Sequence, residues 1–196
     1  MSPFDPDRFA DRLAAHQPTD PSELLVRSRA AVAAVLRFDR GGPEVLLIER
    51  AVHPGDRWSG HVSMPGGRHD PEDADLLATA IRETREEVGV DLRRDTRLLG
   101  RLGATRAVAK GKVLPMTITP FVFHQLEPQP VVLNREATEH FWLPLDRAAR
   151  GELDAPYEYH LGPLPMTLPS WRWEGHTVWG LTHRMLGGLI EVVRAG

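Results

Sequence analysis

The stretch from Gly66 to Val90, GGRHDPEDADLLATAIRETREEVGV, constrains this chain more than any other. From Asp73 to Val88 the spacing predicts a helix, with Leu77, Ala80, Ile81, Thr84 and Val88 on one stripe. Gly89 ends it, as a glycine just past a helix C-terminus does. At about 100° per residue, Glu83, Glu86 and Glu87 fall within an arc of roughly 100° on a neighbouring face. Like charges so close repel one another, and two environments accommodate them. One is a solvated acidic face with Arg82 and Arg85 as partial partners. The other is a hard-cation site, in which carboxylate oxygens hold Mg²⁺ or Mn²⁺ and phosphate oxygens join the shell. In that second reading Arg82, one turn before Glu86, orients it. Spacing alone leaves both open. Gly66 and Gly67, stiffened by Pro65, are either a tight turn or backbone that approaches a ligand and presents N–H groups to it.

The rest of the chain reads as an α/β pattern. Pro6 to His16 is a short amphipathic helix with Phe9 and Leu13 on one side. Ala30 to Phe38 and Val45 to Ile48 are apolar runs flanking Asp39-Arg40-Gly41-Gly42-Pro43, which predicts a hairpin of buried strands. Strand-like runs follow at Leu98–Leu102, Val113–Phe123 and Phe141–Leu143. Nine of the seventeen prolines lie between Pro115 and Pro169, so loops and short strands are expected there. Val178 to Val193 reads as a last helix, in which Gly187-Gly188 marks a point of close packing. The expected organisation is an N-terminal helical extension over 1–29 and one domain over 30–196.

Composition narrows the function classes. With 196 residues, 41% hydrophobic and 26% charged, the chain suits a single globular domain with additions. It has no cysteine, which removes disulfide scaffolds, thiol nucleophiles and thiolate metal sites. A net charge of -3 provides no basic field for nucleic acid or an anionic membrane. No apolar run is long enough to span a bilayer, and the acidic, proline-broken start is unlike a signal peptide, so a cytoplasmic location is the expectation.

The 66–90 stretch resembles the Nudix box, G-x5-E-x7-R-E-U-x-E-E-x-G-U, where U is apolar. Arg82-Glu83, Glu86-Glu87, Gly89 and Val90 match its second half position by position. Asp73 stands where the box has its first glutamate, eight rather than seven residues separate it from Arg82, and Thr84 replaces an apolar residue. A box with this extra residue is similar to the coenzyme A pyrophosphatase branch of the family. The upstream Leu46-Leu47-Ile48-Glu49-Arg50-Ala51, then Arg57, Gly60 and Met64-Pro65-Gly66-Gly67, resemble that branch's second signature, with Met64 in place of phenylalanine.

The resemblance implies an α/β fold of the α+β type: an α/β/α sandwich around a mixed β-sheet, with the box as loop–helix–loop. It implies Glu83, Glu86 and Glu87 as ligands of Mg²⁺ or Mn²⁺, and hydrolysis of the diphosphate bridge in a nucleoside diphosphate linked to another group. Glu86 is the candidate base within the helix, with Arg82 beside it. Glu136 and Glu139 are candidate bases or further ligands from a later segment. Arg50 and Arg57 are candidate phosphate-binding residues, together with Gly66 and Gly67. His61 and His69 are candidate substrate contacts, and Trp171, Trp173 and Trp179 either stack on a base or pack the last helix. Coenzyme A or an acyl-coenzyme A is the implied substrate. ADP-ribose, nucleotide sugars and dinucleotides are the alternative, and a non-catalytic ligand sensor is the second alternative. The expected partner is thus a small molecule, with neither nucleic acid nor membrane, and a homodimer is the assembly that analogy offers.

Overall fold

The computed structural model describes residues 4–24, 26–39, 41–54, 58–109, 111–161 and 164–195. The elements run α1 (Pro6–Ala15), β1 (Ser28–Asp39), β2 (Gly42–Arg50), β3 (Val62–Ser63), β4 (Gly66–Arg68), α2 (Leu76–Val88), β5 (Thr96–Arg101), β6 (Thr105–Ala109) and β7 (Lys112–Gln125). They continue with β8 (Ala137–Pro144), α3 (Leu145–Ala149), β9 (Asp154–Leu161), β10 (Leu164–Trp173), β11 (His176–Trp179) and α4 (Gly180–Arg194).

β1 and β2 form the expected hairpin, closing at Asp39↔Gly42. β1 also runs parallel to β7, from Ser28↔Met116 to Leu36↔His124. A strand with neighbours on both edges and helices over both faces needs apolar residues at every position, and the run from Ala30 to Leu36 provides them. The path β3-β2-β1-β7-β5, with β4 on β1, β6 on β7 and β8 on β2, makes a mixed sheet of eight strands.

Strand alternation sorts its side chains into two layers. Ala31, Ala33, Val35, Leu46, Ile48, Phe121 and Phe123 pack with Ala80 and Val88 of α2. Ala34, Leu36, Val45, Leu47 and Val122 point the other way, onto Phe9 and Leu13 of α1 and Met185, Leu186 and Leu189 of α4. The expected α/β/α sandwich is therefore present. Asp5 caps α1 by accepting from the N–H of Asp7, and Phe9 is fully buried, so α1 shares one core layer with α4.

Four local expectations need correction. The box helix begins at Leu76, because Asp75 adopts extended backbone and caps it by accepting from Ala78 N–H at 2.7 Å. This leaves Asp73 before the helix. The last helix begins at Gly180, because Val178 and Trp179 pair with Trp171 and Ser170 in β11. The proline-rich region holds long strands. Pro120 sits where β7 passes from its pairing with β6 to its pairing with β5, so its missing N–H breaks no ladder, and its carbonyl accepts from Leu102. Pro165 and Pro169 lie where β10 has β9 on one edge and has not yet met β11. Finally, Gly187 and Gly188 mark no close approach, since a Cβ at either would meet nothing within 4 Å.

β9, β10 and β11 form a second, antiparallel sheet that follows the main one. Among the described residues no helix is long and apolar enough to cross a membrane.

Candidate active site

Glu87 is the centre of the site. It lies on the buried side of α2 with 2% of its surface exposed. Its Oε2 accepts from Gly66 N–H at 2.9 Å, and its Oε1 lies 3.6 Å from Arg50 Nη1. Burial pushes its carboxyl up to about 7, against the pull of the Gly66 N–H and of Arg50, while Glu83 and Glu136 add repulsion. Glu83 is raised too, by burial first, with Arg82 opposing and Glu86 and Glu136 reinforcing.

The glycine pair makes this arrangement possible. Gly66 has φ +147 and passes so close to β1 that a Cβ would collide with the carbonyl oxygen of Ala31. A Cβ on Gly67 would collide with the carboxyl group of Glu83. Both glycines are held on β1, opposite Val32 and Ala31. The N–H of Gly66 thus positions a carboxylate.

Arg82 is fixed on the outer side of the helix. Its Nε donates to Asp73 Oδ1 and its Nη2 to Asp73 Oδ2, both at 2.9 Å. Its Nη1 lies 2.9 Å from both Glu83 Oε1 and Glu86 Oε2. Thr79 Oγ1 and Asp70 N–H also donate to Asp73. The Arg82 fork, with these donors, holds the Asp73 carboxyl well below the usual carboxylate range. Sequence pattern placed Asp73 in the box but did not show that it anchors Arg82. His69 belongs to this cluster, with Nδ1 2.9 Å from Thr79 Oγ1.

A cavity of about 1210 Å³ opens beside the carboxylates, and Arg50, Gly66, Gly67, Glu83, Glu87 and Glu136 are among its lining residues. Glu136 arrives there because its carbonyl accepts from Ala51 N–H, which ties the approach to β8 to the end of β2 beside Arg50. Glu86 lies further out, half-exposed on Arg82. Glu139 is not brought to this cavity. It faces the α4 side of the sheet, where His176 lies 3.7 Å from it and 3.1 Å from Glu49, stacked on Phe141. Those three residues offer ligand atoms within 4.8 Å of one another. Arg57 lies outside the described residues.

Aromatic residues also line the cavity, namely Trp58, His61, Tyr159 and Trp179. Trp171 is instead a core residue, and Trp173 donates its Nε1–H to the carbonyl of Trp142. Only the pairing of β9–β11 shows which of Trp171, Trp173 and Trp179 reaches the cavity, and local sequence carries no signal for it.

A loop–helix–loop that presents buried carboxylates above a mixed sheet defines a class, and the family comparison agrees. The NUDIX domain model matches residues 27–161, and the chain belongs to the Nudix family. It is a hydrolase of phosphoric anhydride bonds. Among its relatives is the mitochondrial coenzyme A diphosphatase NUDT8 of Mus musculus, 33% identical over 164 residues, which cover 80% of this chain and 75% of that protein. The Homo sapiens NUDT8 is 36% identical over 80% of this chain and 67% of its own length. Among solved structures, a C. elegans Ap4A hydrolase binary complex superposes with a TM-score of 0.52 at 26% identity, covering 63% of this chain and 84% of that one.

Proposed function

We propose that this hydrolase cleaves the diphosphate bridge of coenzyme A or an acyl-coenzyme A, releasing a phosphopantetheine fragment and adenosine 3′,5′-bisphosphate, with Mg²⁺ or Mn²⁺ as its cation. The observation that carries this reading is that one cavity is lined both by Glu83, Glu87, Glu136 and Arg50 and by Trp58, Tyr159 and Trp179. The similarity to NUDT8 supports the same substrate.

The donor set fits a hard dication. It consists of carboxylate oxygens, two of them raised by burial and by each other, and a divalent charge relieves that repulsion. Glu83 and Glu87 would hold the ion, with Glu136 facing them and Glu86 one turn along. A cation there supplies Lewis-acid polarisation of phosphoryl oxygens. The chain's own groups do the rest. Arg50, beside Glu87, offers a guanidinium to the diphosphate. Glu136, exposed at the rim, takes the proton of the attacking water. Arg82, clamped by Asp73, fixes the rotamers of Glu83 and Glu86.

The test is product analysis with Mg²⁺ or Mn²⁺ over coenzyme A, acetyl-coenzyme A, ADP-ribose, a nucleotide sugar and a dinucleoside polyphosphate. Adenosine 3′,5′-bisphosphate from coenzyme A, absent in an E86Q/E87Q double variant, is the expected result. Turnover by that folded variant at near-parental rate would refute the carboxylate assignment. The likeness to the Ap4A hydrolase favours a dinucleoside polyphosphate as second reading, and cleavage of that compound alone would select it.

A further inference from the structure

Glu49 on β2 and Glu139 on β8 stand directly opposite each other in the ladder, on the α4 side of the sheet. Like charges so placed on antiparallel strands destabilise the pair. Elsewhere the chain sets an arginine on its carboxylates, Arg37 on Glu44, Arg82 on Asp73 and Arg150 on Asp146. Here, among the described residues, no arginine or lysine pairs with either glutamate, and the group between them is His176 of β11. Its Nδ1 lies 3.1 Å from Glu49 Oε2 and its Nε2 3.7 Å from Glu139 Oε2. The imidazole is 11% exposed and lies flat on Phe141, with ring centroids 4.1 Å apart and planes 4° apart, so packing fixes its orientation. Glu139 keeps 66% of its side chain exposed, and its carboxylate can swing towards the other two. None of the three lines the cavity beside the box helix.

An imidazolium balances one of the two negative charges; a divalent ion balances both. One ligand atom can be taken from each residue with all three within 4.8 Å of one another. Nitrogen and oxygen ligands of a tetrahedral Zn²⁺, bound at about 2.0–2.2 Å, stand roughly 3.4 Å apart. The Glu49–His176 spacing is already close to that, and a swing of Glu139 completes the set. We propose that Glu49, Glu139 and His176 form a second metal site, a three-ligand Zn²⁺ site whose fourth position is left to water. It selects a different ion from the box. The carboxylates around Glu87 are all-oxygen donors and suit Mg²⁺ or Mn²⁺, whereas an imidazole nitrogen beside two carboxylates suits Zn²⁺. Its ligands come from β2 and β8 of the main sheet and from β11 of the second sheet, so the bound ion ties the two sheets together.

This site is independent of the coenzyme A reading, and its test needs no turnover. The experiment titrates the tag-free, metal-stripped full chain with Zn²⁺ in an excess of Mg²⁺, which fills the box carboxylates. Thermal melts follow the binding, and Co²⁺ serves as a visible-absorbing probe of the same ligands. Zn²⁺ at about a hundredfold over its dissociation constant is expected to raise Tm by roughly 5–10 °C. His176→Gln and Glu139→Gln should each weaken Zn²⁺ binding by at least about tenfold and remove the Co²⁺ absorption, since even a residue that only orients a ligand costs that much. The E86Q/E87Q variant should keep both signals. Glu139→Gln leaves the imidazole and its stacking in place, so it carries the test if His176→Gln fails to fold. A parental Tm that ignores Zn²⁺, or a Zn²⁺ response that survives in the folded Glu139→Gln and His176→Gln variants, overturns the site. A response lost in E86Q/E87Q and kept in His176→Gln puts the ion in the box and overturns it equally.

Discussion

Replacing Asp73 by Asn tests whether the outer clamp on Arg82 sets the carboxylates. The Asp73 side chain is 7% exposed and accepts from Arg82 Nε, Arg82 Nη2, Thr79 Oγ1 and Asp70 N–H. Asn keeps the shape but turns an NH₂ group towards one of these donors and removes the charge opposite the guanidinium. A hydrogen bond to a charged group is worth about 1.5–3 kcal/mol, so losing one and weakening its twin costs about 2 kcal/mol. For a domain of this size that lowers Tm by roughly 4–8 °C. The functional loss is of similar size in free energy. Arg82, no longer gripped by a fork, loosens Glu83 and Glu86, and loss of a residue that orients ligands costs about 10- to 100-fold in activity. The assays are a thermal melt at pH 7 and kcat against cation concentration. Asp73 is held below its ordinary range chiefly by Arg82, so its contribution is full above that range and fades only as pH falls through the depressed value. The variant lacks the contribution at every pH. Parental Tm and kcat in D73N would refute the clamp.

Three further outcomes follow from the packing. Phe9→Ala should destabilise by about 3–5 kcal/mol in denaturant melts, because the ring is fully buried against Phe38. Gly66→Ala should cost more than ~2 kcal/mol and most of the activity, since a Cβ at φ +147 meets the Ala31 carbonyl and shifts the N–H that holds Glu87. Burial lowers the His183 imidazole, with Asp154 opposing. Its contribution to stability is full above the ordinary histidine range and declines as pH falls through the lowered value, and His183→Gln should flatten that limb of the Tm profile.

Much of the fold was legible because it is local. The apolar runs of β1 and β2, the turn between them, and the stripe and carboxylate face of α2 each follow from strand or helix periodicity. Helix starts were misplaced because capping competes with periodicity. Asp75 stops α2 short of Asp73, and pairing with β10 takes Val178 and Trp179 into a strand. Proline content misled because a proline is tolerated wherever a ladder already has a gap, and gaps are a property of the neighbouring strand.

By itself the sequence determined that this chain carries a glycine pair and three carboxylates within one helical turn, since the 3.6-residue repeat is written in neighbouring residues. Only the tertiary structure decided which other groups meet them. Glu136 and Glu139 are three residues apart, yet one reaches the cavity and the other pairs with His176 across the sheet. That choice depends on where β8 docks on β2 and on the bulge at Glu49 and Arg50. The same holds for Trp179. Its place in the cavity depends on packing between elements far apart in the chain, and no short window of sequence encodes it.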